Sequence, residues 1–134
     1  MPDLPTAVIF DLDGVIRDWN DDAMYDLEAA FGLPPGTILA VGFGRDLGPA
    51  ATTGRITYRE WMDEIRRRVI GEYRPTVTGA LDEWEANVGM VDTEMLAVLR
   101  AVRRHCTAAV LPNGTTRLRR DLPVQHRDEL RLAR

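Results

Sequence analysis

The sequence predicts an α/β protein, a short parallel sheet interrupted by a long helical insertion. Two apolar runs, residues 7–10 and 106–111, have the length of strands, and each ends in a turn-forming stretch. Between them lie about eighty residues with helical periodicity, far more than the minimal crossover between parallel strands requires.

The first run sits in AVIFDLDGV, Ala7 to Val15. Four apolar residues read as a short buried strand. Asp11 and Asp13 follow at alternate positions, and Gly14 breaks the pattern. Open α/β sheets bind ligands at the carboxyl ends of their strands. Two like charges so close are costly without a cation or a shared proton. Strand, Asp-Leu-Asp and glycine turn together suit a divalent metal and a phosphoryl group. The alternative is a surface strand end with two solvated aspartates. The unbroken apolar run and the glycine weigh against it.

Composition narrows the class. The chain has 134 residues, enough for one ordinary domain. No apolar run is long enough to span a bilayer, so no membrane partner is expected. The amino terminus, MPDLPTAV, lacks a basic region and an apolar signal core, and the single cysteine, Cys106, fits a reducing compartment. Both predict a cytoplasmic protein. A net charge of −4 argues against nucleic-acid binding. All 17 basic side chains are arginine, and the chain has no lysine.

Helices fill the insertion. Asp21 and Asp22 can cap a helix carrying Met24, Leu27 and Phe31 on one face, ended by Gly32 and Pro34–Pro35. Residues 37 to 51 are glycine-rich without a clear period, and read as loop with at most a short helical turn. Thr57-Tyr58-Arg59-Glu60 fits a capping box, with Ile56 and Trp61 as a hydrophobic staple. Trp61, Ile65 and Val69 line that helix, and Gly71 is its expected stop. Leu81, Trp84 and Val88 mark a third helix, closed by Gly89. Asp92 caps a fourth, with Met95, Leu99 and Val102 as its stripe and Arg103 and Arg104 in its last turn. After the second strand, Pro112-Asn113-Gly114 makes a turn. Thr115 then starts a helix through Leu118 and Leu122, Pro123 interrupts it, and a short charged tail follows.

Residues 8 to 15, VIFDLDGV, resemble the first motif of the haloacid dehalogenase-like (HAD) hydrolases. The resemblance implies an α/β HAD-like (Rossmann-like) parallel sheet with an inserted helical cap. It assigns residues 1–16 and 104–134 to an incomplete core, and 17–103 to the cap and its connecting helix. GRITYREW at 54 to 61 and VDTEMLAVLRAVR at 91 to 103 also look like capped members of the family. The implied nucleophile is Asp11 and the implied acid/base is Asp13. Both would bind Mg²⁺, weakly because the family's later acidic ligands are absent. An Asp rather than an aromatic residue at 13 favours phosphoryl transfer over carbon–halogen cleavage. Trp19, Trp61 and Trp84 are candidates for a substrate pocket, although helical spacing places Trp61 and Trp84 in the cap core.

The family's second motif, a strand ending in Ser or Thr and often Asn, corresponds to AAVLPNGTTRLRRDL at 108 to 122. Asn113 and Gly114 match as phosphate-binding residues. Pro112 stands at the hydroxyl position and supplies neither a hydroxyl nor an N–H. Arg117, Arg119 and Arg120 read as a solvated helix face rather than as phosphate ligands. The family's basic residue, normally Lys, is missing. The 23 residues after Leu111 are too few for a further βα unit and strand, which take roughly thirty. The expectation is therefore one of three: a truncated or frameshifted product of a HAD hydrolase gene, a fragment whose other half lies elsewhere, or a complete, catalytically reduced protein that binds a phosphorylated ligand or a protein partner. The expected macromolecular partner is a second copy of the chain or the missing complementary segment. The implied activity is phosphatase action on a small phosphorylated metabolite through an aspartyl-phosphate, reduced in this short chain. The alternative is a non-catalytic binding or interaction module. A phosphoacceptor signalling domain fits less well, because it needs a later lysine and a single-helix first crossover.

Overall fold

A computed structural model describes residues 4–122 and Leu130. The elements run β1 (Ala7–Phe10), β2 (Arg17–Asp18), α1 (Asp21–Ala30), α2 (Thr37–Gly42), α3 (Leu47–Thr52), α4 (Tyr58–Glu72), a 3-10 turn (Pro75–Val77), α5 (Thr78–Ala86), β3 (Met90–Val91), α6 (Thr93–Val102), β4 (Thr107–Val110) and α7 (Leu118–Asp121). The fold is α/β, mostly helical, with a parallel sheet of two strands. The chain divides into two compact units. The first takes its residues from 1–19, 89–113 and 120–134, and the second from 20–88 and 114–119. Among the described residues, no helix is long and apolar enough to cross a membrane.

In the first unit, β1 and β4 run parallel, with Ala7 opposite Thr107 and Phe10 opposite Val110. The expected pairing of the two apolar runs is therefore present. The expected burial of β1 is not. Ile9 is 66 % exposed, and accessibility alternates along the strand. A strand paired on one side, in a sheet of two, is covered on one face only. β2 pairs antiparallel with β3, Arg17 opposite Val91. Asp92 N–H donates to Ile16 O at 2.7 Å, fastening the start of α6 to the residue before β2. Asp92 caps α6 as expected, its Oδ1 accepting from the N–H groups of Glu94 and Met95. Leu96 and Leu99 are the buried positions of α6. Leu12, Ile16, Val110, Leu122 and Leu130 are also buried. The rest of the tail after Leu122 lies outside the described residues.

In the second unit, α4 begins with the complete capping box. Thr57 Oγ1 accepts from Glu60 N–H, and Thr57 N–H donates to Glu60 Oε2. Trp61, Met62, Ile65 and Val69 form the buried face, packed with Leu33, Ile38, Leu47, Val77 and Leu81. Trp61 belongs to this core, and the half-buried Trp84 lies 5.7 Å from it, ring to ring.

Several local expectations need correction. The cap of α1 is Asn20, not Asp21 or Asp22: Asn20 adopts φ 53, ψ 69 and its side chain accepts from Ala23 N–H. Asn tolerates the left-handed conformation required at the start of this helix. The stretch expected as loop, 37 to 51, is instead occupied by two six-residue helices, α2 and α3, the second ending at Thr52. Helices this short show too few turns to display a period. α4 passes through Gly71 to Glu72, because that glycine lies exposed in the last turn, where its helix penalty is small. Val88 lies outside α5 and is 38 % exposed. The helix expected from Thr115 is the four-residue α7.

One buried carboxylate organises the turn between α1 and α2. Glu28 is 2 % exposed. Its Oε1 accepts from Ile38 N–H at 2.7 Å, and its Oε2 accepts from Gly36 N–H. These are first-turn donors of α2, which no helical carbonyl can satisfy.

Candidate functional site

Parallel pairing decides what meets at the end of β1. Leu111 N–H donates to Phe10 O at 2.9 Å. Asp11 and the segment Leu111-Pro112-Asn113 therefore leave the sheet at its carboxyl end.

The chain then turns around one acceptor. The Leu12 carbonyl receives N–H groups from Val15 (3.3 Å), Ile16 (2.8 Å) and Arg17 (2.8 Å). Gly14 has φ 81, and its N–H donates to Arg17 O at 2.8 Å. Residues with a Cβ are disfavoured at that φ, which explains the glycine. The buried Leu12 anchors the turn between the two aspartates.

The two carboxylates differ. Asp11 is exposed, and its Oδ1 accepts from Leu12 N–H at 2.8 Å. Asp13 is partly buried. Its Oδ1 accepts from Arg17 Nε at 2.6 Å and from Trp19 Nε1 at 2.8 Å. Arg17 is only 4 % exposed, and its guanidinium stacks over the Trp19 ring, 4.3 Å from the centroid. Its Nη1 is buried without a hydrogen-bond partner. Arg17 is the residue that sequence reasoning missed, and Trp19, expected as a candidate for a substrate pocket, here donates to Asp13. The signal for Arg17 was an arginine directly after the apolar Val15-Ile16, four residues after an aspartate and two before a tryptophan.

Asn113 is exposed and belongs to the first unit with Asp11 and Asp13, and Gly114, the next residue, begins a segment assigned to the second. A Cβ at Gly114 would lie 3.2 Å from Leu118 Cδ2. The segment after Gly114 is tied to α4. Thr116 Oγ1 accepts from Tyr58 N–H at 2.9 Å. Arg117 Nη1 donates to Tyr58 OH, and its guanidinium lies 4.6 Å from the centre of that ring and 4.0 Å from Glu85 Oε1. Arg117 is thus not part of a solvated helix face: its side chain is 9 % exposed. Arg119 and Arg120 are exposed, as expected.

The donor set does not fit a resident Mg²⁺. That ion wants near-ideal octahedral oxygen coordination, usually with one or two carboxylates and several waters. Asp13 Oδ1 is saturated by two N–H donors, one of them cationic. Among the described residues, no three His, Cys, Asp or Glu side chains gather into a ligand cluster.

The second unit has an open groove of about 610 Å³, lined by residues including Asp46, Arg67, Arg68 and Glu72. Its charges largely serve one another. Arg68 bridges Asp46 (2.5 Å) and Glu64 (2.7 Å), and Arg67 also binds Glu64. The hydrogen bond from Arg68 holds Asp46 down at about 2, and those from Arg67 and Arg68 do the same for Glu64.

No protein-family model matches the chain, and no curated protein matches it.

Proposed function

We propose that this chain is a HAD-like phosphoryl-transfer protein, a phosphatase of a small phosphorylated metabolite that turns over slowly through an aspartyl-phosphate. The observation that carries the reading is an exposed Asp11 at the carboxyl end of a parallel strand, two residues before Asp13, with Asn113 in the same unit. Ligand sites of parallel sheets lie at that edge.

An Asp11 oxygen attacks phosphorus, and the bond from phosphorus to the ester oxygen breaks. Asp13 gives a proton to the leaving oxygen, then takes one from the water that hydrolyses the acyl phosphate. Its uncommitted Oδ2 is the oxygen available for both transfers. The N–H of Asn113 is a donor for a phosphoryl oxygen. Pro112 offers none, and one missing transition-state donor costs about 10²–10³ in rate. No lysine compensates. The cytoplasm, with its phosphorylated metabolites, is the compartment this reading implies.

The test incubates the full chain with acetyl phosphate and with a chromogenic phosphate ester, beside Asp11→Asn. The expected result is a phosphoryl mass increment on Asp11, and slow ester hydrolysis abolished by the substitution. An unmodified Asp11, with hydrolysis equal in both proteins, overturns the reading. A second reading, a non-catalytic binding module, draws on Pro112 and on the commitment of Asp13 Oδ1 to Arg17 and Trp19. It expects saturable binding of a phosphate ester without turnover.

A further inference from the structure

We propose that Arg17 is the built-in cation of the strand-end motif, binding Asp13 where a divalent metal would otherwise be recruited. Two carboxylates at alternate positions need a counter-charge, and a metal ion is the usual source. Here the chain supplies one. The Arg17 Nε lies 2.6 Å from Asp13 Oδ1, inside the range of charge-assisted hydrogen bonds. Trp19 Nε1 donates to the same oxygen at 2.8 Å.

The cation is held rigidly. Arg17 sits in β2, its N–H on Leu12 O and its carbonyl on Gly14 N–H, so the turn that positions Asp13 also positions its counter-ion. The Trp19 ring covers the guanidinium face. A Cβ at Gly89 would lie 2.9 Å from Arg17 Cγ and 3.0 Å from Cδ, so the missing side chain there makes room for the arginine stem. Gly89 has φ 72, which separately favours glycine. Arginine suits this role better than lysine. Its fork binds through Nε with the ring stacked above, and it is weakly hydrated and stays charged when buried.

Two consequences follow. A dication approaching Asp13 meets a fixed positive charge a few ångströms away, which lowers its affinity by a power of ten or more even at an effective dielectric of about 20. Asp13 also has its two oxygens separated in role: Oδ1 belongs to Arg17 and Trp19, and Oδ2 stays uncommitted. The proposal holds whether or not the chain hydrolyses a phosphate ester, and its test needs no activity.

That test titrates Mg²⁺ and Mn²⁺ into the full chain by calorimetry, for wild type, Arg17→Gln and Arg17→Lys. Wild type and Arg17→Lys are expected to show no saturable binding in the micromolar range. Arg17→Gln, which leaves Asp13 without a counter-charge, is expected to bind Mn²⁺ at least about tenfold more tightly than wild type. Micromolar Mg²⁺ binding by wild type overturns the proposal, as does a folded Arg17→Gln whose affinity is unchanged. Because Arg17 is buried, a second measurement uses wild type alone. The Trp19 indole N–H resonance is followed while Mn²⁺ is added. A sharp signal supports the proposal, and selective broadening at low Mn²⁺, placing the ion beside Asp13, refutes it.

Discussion

Replacing Glu28 with alanine should cost more than any surface substitution in this protein. Glu28 looks like an ordinary polar residue of an amphipathic helix, yet it is 2 % exposed. Its two oxygens accept from Gly36 and Ile38, the latter fully buried. Removing the carboxylate leaves both N–H groups without their acceptor. Each unsatisfied buried donor costs about 1–3 kcal/mol, and access of water to the half-buried Gly36 reduces its share. The expected loss is therefore about 3 kcal/mol, a fall in Tm of about 10 °C for a chain of this size. Glu28→Gln keeps one acceptor oxygen but turns its amide N–H₂ toward a second donor, so it should cost about 2 kcal/mol. Urea unfolding followed by tryptophan emission measures both, since Trp61 and Trp84 report on the same core. An alanine variant within about 0.5 kcal/mol of wild type, the usual range for surface changes, would refute the reasoning.

Thr57→Ala breaks the capping box and should destabilise by about 1 kcal/mol, read from the same urea midpoint. Gly79→Ala should cost about 1–3 kcal/mol, because its Cβ would lie 2.4 Å from Phe31 Cε1 and force the ring to move; Phe31→Leu in the same background should recover part of the loss. Asp46 and Glu64 sit at about 2 in the folded protein against ordinary values of 3.8 and 4.5, so their pairs with Arg68 and Arg67 stabilise above about pH 4.5. That contribution should fade as the pH falls from 4.5 towards 2. The double variant Asp46→Asn, Glu64→Gln should show a shallower acid limb at low ionic strength and lie closer to wild type at high salt, since Asp46 is exposed and Glu64 is half-buried.

What was legible in the sequence follows from the range of the interactions. The α4 capping box spans four consecutive residues, and its pattern names both partners. The Asp92 cap is equally local. The parallel pairing of residues 7–10 with 107–110 was accessible because a long helical crossover permits that sense of pairing. The burial of β1 was misjudged because apolar composition reports what a strand can bury, not how many neighbours cover it. α2 and α3 were hidden because six residues show too little of a 3.6-residue period. Glu28 was invisible for a further reason: its partners lie eight and ten residues away, across two prolines.

The candidate site divides along the same line. Asp11, Asp13 and Gly14 announce themselves because the spacing that suggests the proposed chemistry lies within four consecutive residues. Arg17 does not, because an arginine four residues after an aspartate normally suggests a helical surface pair worth a few tenths of a kcal/mol. No helix connects Asp13 with Arg17 here. The turn around the Leu12 carbonyl brings them together instead, and burial under Trp19 makes the pair a fixed part of the site. Arg117 illustrates the converse. Its position in a run of arginines suggested solvent, but Tyr58, 59 residues earlier in the chain, takes its hydrogen bond and stacks beneath it. Two arginines of equal formal charge thus reach different ends. Arg17 answers the carboxylate of the proposed chemistry, and Arg117 fastens the segment after Asn113 onto α4. The basic residue that the HAD resemblance implies, normally a lysine, is absent from the sequence. In this chain the guanidinium beside the acidic motif comes instead from the turn that follows it.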